Sequence, residues 1–288
     1  MKTSGSTAAF EAEISDRDFT RLAKSVYEHC GITMGENKRE LAQSRLAKRL
    51  RLKGFSTYSD YLDEVLNQPD SDEFGDMIDA LSTNLTSFFR ENDHFEYLAN
   101  THLPSVVKNR TQDASKRIRG WSAGCSSGEE PYTLSIVLNE TLPKLGAARG
   151  WDVKLLATDI STRVLKKARA GVYDMERVKT ISPQLRGKYF EPRTRDGDPH
   201  LAVSPQLRSM IVFNHLNLME SWPFKGPFDF IFCRNVMIYF DKETQEKLVE
   251  RYYQILAPGG ILFTGHSESL TGVKHRFGFV KPTIYQKP

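Results

Sequence analysis

The chain has 288 residues, 39% of them hydrophobic and 26% charged, the balance of a soluble globular protein with room for two domains. No run of about 18 apolar residues offers a membrane span. Met1 to Ile14 lacks the apolar core of a signal peptide, so a cytoplasmic location is expected. Cys30, Cys125 and Cys233 are too few and scattered for a disulfide framework or a zinc site, and the seven histidines form no H-x-x-x-H pair, so no metal is expected.

The formal net charge of +4 is mild, but its distribution is uneven. Lys38 to Lys53 carries seven basic residues against the single Glu40, whereas Gly54 to Ala80 carries eight acids, among them Asp70, and no base. Such segregation is expected of a helical domain with one strongly positive face, suited to docking an acidic partner, or of a solvated helix face.

Ser15 to Cys30 reads as a first helix, capped by Ser15 or Asp16 with Phe19, Leu22, Ala23 and Val26 on one face, and Gly31 stops it. Glu36 to Lys53 is the second: Ala42, Leu46 and Leu50 recur at i, i+4, i+8, which places Arg45, Lys48 and Arg49 outward. Tyr58 to Asn67 and Asp72 to Leu81 make two further helices around the turn Asn67-Gln68-Pro69-Asp70. A helical domain over residues 1–83 is therefore expected. The next segment, N-L-T-S-F-F-R-E (residues 84–91), interleaves polar residues with aromatics, as a linker lying over an interdomain ligand cleft would. Asn84, Thr86 and Arg90 are candidates there; alternatively, the phenylalanines simply dock the linker.

Residues 92–288 read as α/β. Ile118 to Ala123 is a strand, followed by the small-residue turn Gly124-Cys125-Ser126-Ser127-Gly128 and then by Glu129-Glu130-Pro131, with Pro131 suited to the first helical position. So bare a turn lets a ligand approach the backbone at Gly124. Gly124-x-Ser126-x-Gly128 also matches the letters of a nucleophile elbow, with Asp229 and His266 in the right order for a hydrolase triad, though nothing local marks either as a member. The dinucleotide fingerprint G-x-G-x-x-G is absent. Two adjacent glutamates beside the turn are explained by a cationic ligand.

Val153 to Ala157 is a second strand ending at Asp159, placed to hold ribose hydroxyls or to cap the helix Thr162 to Ala170, a task Ser161 could also perform. From Val172 to about Leu216 the rhythm lapses, and short runs including Met210-Ile211-Val212-Phe213 read as an inserted antiparallel subdomain, about 172–216. It resumes at Asn217-Leu218 and at Phe230 to Cys233, a central strand with Arg234 and Asn235 just beyond its end and Tyr239 close by. Asp241 caps a helix through Leu256, Ile261 to Thr264 is another strand, and Phe277 to Val280 with Thr283 to Tyr285 close the sheet.

Five stretches, W-S-A-G-C-S-S-G-E-E-P-Y, N-L-T-S-F-F-R-E, A-T-D-I, F-D-F-I-F-C-R-N-V-M-I-Y-F and G-H-S-E-S, resemble the chemotaxis receptor methyltransferases, the CheR family, in the same order over nearly the whole chain. The resemblance implies an N-terminal all-α domain followed by a Rossmann-like, doubly wound class I methyltransferase domain carrying a small antiparallel insertion. The implied reaction takes a methyl group from S-adenosylmethionine to glutamate side chains of chemoreceptors and leaves S-adenosylhomocysteine. It further implies that Asn84, Thr86, Arg90, Gly124, Glu130, Asp159, Asn217, Leu218, Arg234 and Asn235 contact the cofactor. Arg90 and Tyr239 stand nearest the chemistry, while Arg45, Arg49 and Arg51 face the receptor. The implied partner is the receptor's cytoplasmic helical bundle, and some family members also grip a tethering peptide at the receptor's C-terminus.

The physical chemistry agrees. S-adenosylmethionine carries a sulfonium and an ammonium, and Glu130 can pair with the ammonium while Asp159 holds the ribose. A glutamate acceptor, with a solution pKa near about 4.3, is already ionised at neutral pH and needs no general base. Two rivals remain open to the sequence: methylation of nucleic acid through the basic helix, which lacks interleaved aromatics for stacking, and a cofactor-binding regulatory module without turnover.

Overall fold

A computed structural model describes residues 13–69, 71–110, 116–147, 150–195 and 197–288. Most of the Met1 to Ile14 stretch, together with Asp70 of the acidic run and of the Asn67 turn, lies outside them. The chain forms two units, residues 1–83 and 84–288.

The first unit contains α1 (Asp16–Cys30), a 3-10 turn Glu36–Lys38, α2 (Arg39–Lys53), α3 (Tyr58–Leu66) and α4 (Asp72–Leu81). Local chemistry sets their ends. Ser15, Thr57 and Ser71 each accept a hydrogen bond from a first-turn N–H, and Gly31 and Gly54 close α1 and α2 in the left-handed conformation, which costs glycine little. Ala42, Leu46 and Leu50 are buried as their spacing predicts. The arginines of α2 depart from the expectation that they point outward. Arg49 forms a forked pair with Glu73 and a 2.7 Å bond to Asp76, while Arg45 donates to the carbonyls of Leu81 (2.6 Å) and Ser82 (3.0 Å). The acidic segment that reverses the charge along the chain is the helix packed against the basic one, so much of the segregation cancels in space.

The second unit opens with α5 (Asn92–Tyr97), which continues through a π turn into α6 (Leu103–Arg110), and then β1 (Arg117–Ala123), α7 (Glu129–Thr141), β2 (Asp152–Asp159) and α8 (Thr162–Ala170). The helix α7 begins two residues before Pro131, which therefore occupies its third position, still within the first turn where a missing N–H is tolerated. Next come β3 (Val172–Asp174), α9 (Met175–Val178), α10 (Pro183–Tyr189), β4 (Phe190–Arg195), β5 (Asp198–Val203), α11 (Pro205–Arg208) and β6 (Ile211–His215). The chain ends with β7 (Phe228–Cys233), α12 (Lys242–Ile255), β8 (Leu256–Thr264), β9 (Gly278–Lys281) and β10 (Ile284–Gln286).

The main sheet runs β6-β2-β1-β7-β8-β10-β9, with β10 antiparallel to both its neighbours. The small sheet is β3-β5-β4, antiparallel throughout. The insertion is thus shorter than expected. Ile211 to His215 pairs parallel with Leu155 to Asp159, so this apolar run is an edge strand of the main sheet, and the run alone does not tell the two sheets apart. At the centre, β7 is buried at every position, as a parallel strand covered on both faces must be. Phe232 stacks on Phe263 of β8 at 4.2 Å between ring centroids, each buried ring contributing about 1.5 to 3 kcal/mol.

From β1 the chain winds to β2 on one side and later crosses to β7 on the other. The order reverses there, and the carboxyl ends of β1 and β7 open the crevice where such sheets bind ligands.

Candidate active site

The turn after β1 is shaped by backbone. Gly124 has φ +85°, and a Cβ on it would stand 2.4 Å from Val236 Cγ2; Gly128 has φ +98° and meets Ala168. Gly124 and Cys125 donate to the Thr158 carbonyl at 2.8 and 2.9 Å, which ties the turn to the end of β2. Ser126, also left-handed at φ +48°, donates its N–H to Asp159 Oδ2 at 2.8 Å and its hydroxyl to the Asn84 carbonyl at 2.8 Å.

Asp159 therefore braces the turn. Its second oxygen accepts the Ser161 N–H at 2.9 Å, and the N-cap of α8 is Ser161, whose hydroxyl accepts from Val164.

The adjacent glutamates separate in role. Glu129 is fully buried, bound by Ser127 Oγ at 2.7 Å and by Arg177 at 2.5 Å, so an internal cation accounts for it. Glu130 accepts from Ser122 Oγ at 2.7 Å, and its other oxygen lies 3.5 Å from Arg234 Nε. Burial pushes the Glu130 carboxyl above its ordinary range, against the opposing pull of Arg234 and Ser122.

Arg234 lies at the C-terminal end of β7 with its side chain 2% exposed. It donates to the Arg90 carbonyl at 2.5 Å, stands 3.5 Å from Glu91 Oε2, and lies over the rings of Phe95 and Phe232. Its Nε and Nη1 are buried without a hydrogen-bond partner. Phe89 and Glu91 both take left-handed φ, +55° and +52°, a strain of about 1 to 3 kcal/mol at each, and Arg90 is set between them. Arg90 itself is 36% exposed, with one hydrogen bond to the Leu85 carbonyl (2.9 Å) and Glu91 at 3.8 Å.

The remaining expected residues divide. Asn84 offers a buried Nδ2 with no partner, whereas Thr86 is half-buried. Asn217 is buried and holds its own turn, accepting the Met219 N–H at 3.0 Å, and the Leu218 carbonyl accepts from Trp222 and Arg251. Asn235 is left-handed at φ +58°. Tyr239, half-buried, ends a 3-10 turn Met237–Tyr239 directly after Val236, the residue that fills the space above Gly124.

No hydrolase triad forms. Asp229 accepts from Arg110 (2.5 Å) and the Arg119 N–H (2.7 Å), and His266 pairs with Asp93 at 3.0 Å.

Two acids escaped the sequence reading although both lie in its motifs. Glu91, the last letter of N-L-T-S-F-F-R-E, faces Arg234 and accepts the His266 N–H at 3.2 Å. Glu268, of G-H-S-E-S, accepts from Asn235, Gly265 and Ile238. The fold also gathers Glu91, His94 and His266, with donor atoms within 4.8 Å of one another, which spacing along the chain did not foreshadow. Arg234 Nε stands 3.5 Å from the same carboxylate.

These features fit S-adenosylmethionine. Glu130 offers an oxygen to an ammonium, Asp159 stands at the end of the next strand bound to the turn, Asn84 and Arg234 present unpaired buried donors, and the turn at Gly124 admits no side chain.

Comparison with known proteins gives the same reading. Residues 84–286 match the SAM-binding domain of CheR methyltransferases, and residues 17–82 match their all-alpha domain. The chain is 40% identical over 298 aligned positions to a chemotaxis protein methyltransferase of Klebsiella aerogenes, covering 99% of this chain and 98% of that one. It is 38% identical to one from Borreliella burgdorferi over the full length of both, and 39% to one from Escherichia coli over 94% and 91%. No helix among the described residues is long and apolar enough to cross a membrane. The bare turn, the acids beside it and these matches together place the chain in the CheR family of chemotaxis protein methyltransferases, with S-adenosylmethionine as its cofactor.

Proposed function

We propose that the chain methylates glutamate side chains on the cytoplasmic helical bundle of chemotaxis receptors, forming methyl esters. Bound S-adenosylmethionine supplies an electrophilic methyl on a positively charged sulfur. An O–CH3 bond forms on the acceptor carboxylate as the S–CH3 bond breaks, and S-adenosylhomocysteine leaves as a neutral thioether. No proton moves, so no general base is required.

The residues act by placement. Glu130 takes the cofactor's ammonium and Asp159 its ribose, with Asn84, Thr86, Gly124, Asn217, Leu218, Arg234 and Asn235 forming the remaining walls. The observation that carries the reading is Arg90, a cation 36% exposed with one hydrogen bond beside a second arginine that is buried. An under-committed guanidinium at this place suits an anionic acceptor, which it can orient while Tyr239 contacts the reacting end, a contribution of alignment more than of proton transfer. On α2, Arg51 is exposed and serves as the receptor contact, with Arg45 and Arg49 shaping the surface around it through their bonds to α4.

The test is incubation with methyl-labelled cofactor and receptor-bearing membranes. Label on the receptor that is released as methanol by mild alkali is the expected result. Base-stable label, or label on added RNA or DNA in place of the receptor, would overturn the acceptor assignment, and an unlabelled receptor would point to a binding module without turnover.

A further inference from the structure

The G-H-S-E-S stretch at the end of β8 has no part in the mechanism so far, yet its glutamate is buried and 6% exposed. Glu268 Oε2 accepts the backbone N–H of Asn235 and of Gly265, both at 2.6 Å, and Oε1 accepts the N–H of Ile238 at 3.0 Å. The Glu268 backbone is fixed too, its carbonyl accepting from Thr264 Oγ1 at 2.8 Å and its N–H reaching the Gly265 carbonyl at 2.8 Å. One ionised side chain thus joins the loop after β8 to both ends of the segment that runs from Asn235 to the turn Met237–Tyr239. A buried carboxylate is tolerated when several N–H groups replace its water, and burial still raises the Glu268 pKa against those bonds.

We propose that Glu268 is a positioning residue for methyl transfer: it fixes the Asn235–Tyr239 segment against the end of β8 and thereby holds Tyr239 at the acceptor. The proposal rests on the reading that Tyr239 stands beside the acceptor carboxylate. Glu268→Gln separates the two ends of the segment. The glutamine oxygen can replace Oε2 and keep Asn235 and Gly265, but its NH2 then meets the Ile238 N–H, donor against donor, and the Tyr239 turn is released while the cofactor wall stays.

Steady-state kinetics on receptor-bearing membranes, with calorimetric cofactor affinity, test this. Glu268→Gln is expected to lower kcat about ten- to a hundredfold with cofactor Kd changed less than about threefold. Thr264→Val, which removes the hydroxyl holding the Glu268 carbonyl, is expected to act in the same direction by about three- to tenfold, and it keeps the test available should Glu268→Gln not fold. In a double-mutant cycle, Glu268→Gln added to Tyr239→Phe is expected to cost less than about twofold more, since both changes disable one unit. Wild-type kcat in both Glu268→Gln and Thr264→Val, a multiplicative loss in the cycle, or a cofactor affinity that falls as far as kcat would overturn the proposal. Should Tyr239→Phe alone retain wild-type kcat, the acceptor-site reading is wrong and the positioning role falls with it. An impaired Tyr239→Phe beside normal Glu268→Gln and Thr264→Val sinks the positioning role alone.

Discussion

Arg234 Nε and Glu130 Oε2 stand 3.5 Å apart, close enough for attraction and too far for a hydrogen bond. The ion pair is therefore incomplete: Arg234 keeps Nε and Nη1 without partners, and one Glu130 oxygen has no donor on it. A ligand ammonium would supply the donor that this Glu130 oxygen lacks, forming a charge-assisted bond worth about 1.5 to 3 kcal/mol. Glu130→Gln is accordingly expected to weaken S-adenosylmethionine binding about ten- to a hundredfold by calorimetry.

The same carboxylate makes binding depend on pH. Burial holds the Glu130 pKa above the ordinary carboxylate value in the free protein, and a bound cation favours the ionised form, so binding releases a proton from Glu130. Affinity is then expected to rise as pH rises through the elevated pKa and to level off above it. In Glu130→Gln this rise should be absent; a rise of the same size in the variant would assign it to another group.

Arg90→Ala is expected to lower kcat about ten- to a hundredfold, the equivalent of one charged contact made mainly in the transition state. Tyr239→Phe should lower kcat while leaving cofactor affinity close to wild type. A large loss of cofactor binding in Tyr239→Phe would move that hydroxyl from the acceptor to the cofactor pocket.

Gly124→Ala combines two penalties. A left-handed φ costs an alanine about 1 to 2 kcal/mol, and its Cβ would stand 2.4 Å from Val236 Cγ2. We expect loss of both cofactor affinity and thermal stability. Adding Val236→Ala should restore part of each, because it removes the collision but leaves the backbone strain; no recovery would mean that strain alone decides.

Acid should destabilise the fold through buried histidines. Burial lowers the pKa of His102 from 6.5 to about 4, with its Nε2 at 2.9 Å from the Asp229 carbonyl. A carbonyl only accepts, so Nε2 carries the proton of a neutral ring. The unfolded chain binds a second proton first, hence stability present above pH 6.5 falls as pH drops toward 4, by up to about 3 kcal/mol for this group. His94, lowered to about 4 by burial and then by Arg234, acts in the same sense. Urea midpoints measured across this window should decline in the wild type and decline less in His102→Gln.

Arg49 and Arg51 are expected to differ. Removing Arg49 takes a forked pair from the largely buried Glu73, which keeps Lys53 and the Tyr61 hydroxyl as partners, and should cost about 1 to 3 kcal/mol of stability. Arg51→Glu, at an exposed position, should leave the melting temperature near wild type while lowering methylation of receptor-bearing membranes, more so at low ionic strength. Unchanged methylation would remove α2 from the receptor contact.

What the sequence determined is local in origin. Serine caps, glycine stops and the i, i+4, i+8 stripe of Ala42, Leu46 and Leu50 mark helices by interactions within one or two turns. The small-residue turn at Gly124 is written in the residues of the turn itself, and five motifs in order carried the family and its cofactor. The tertiary structure decided what depends on partners distant along the chain. Glu129 and Glu130 are neighbours of the same chemistry, and only Arg177, 48 residues away from Glu129, shows which is taken. The run at Ile211 suits either sheet until β2 pairs with it, the outward arginines of α2 are engaged by an acidic helix that the charge count had set apart, and Glu268 joins Asn235 across 33 residues. A carboxylate's role is set by which donors fold around it, and no pattern of near neighbours encodes that.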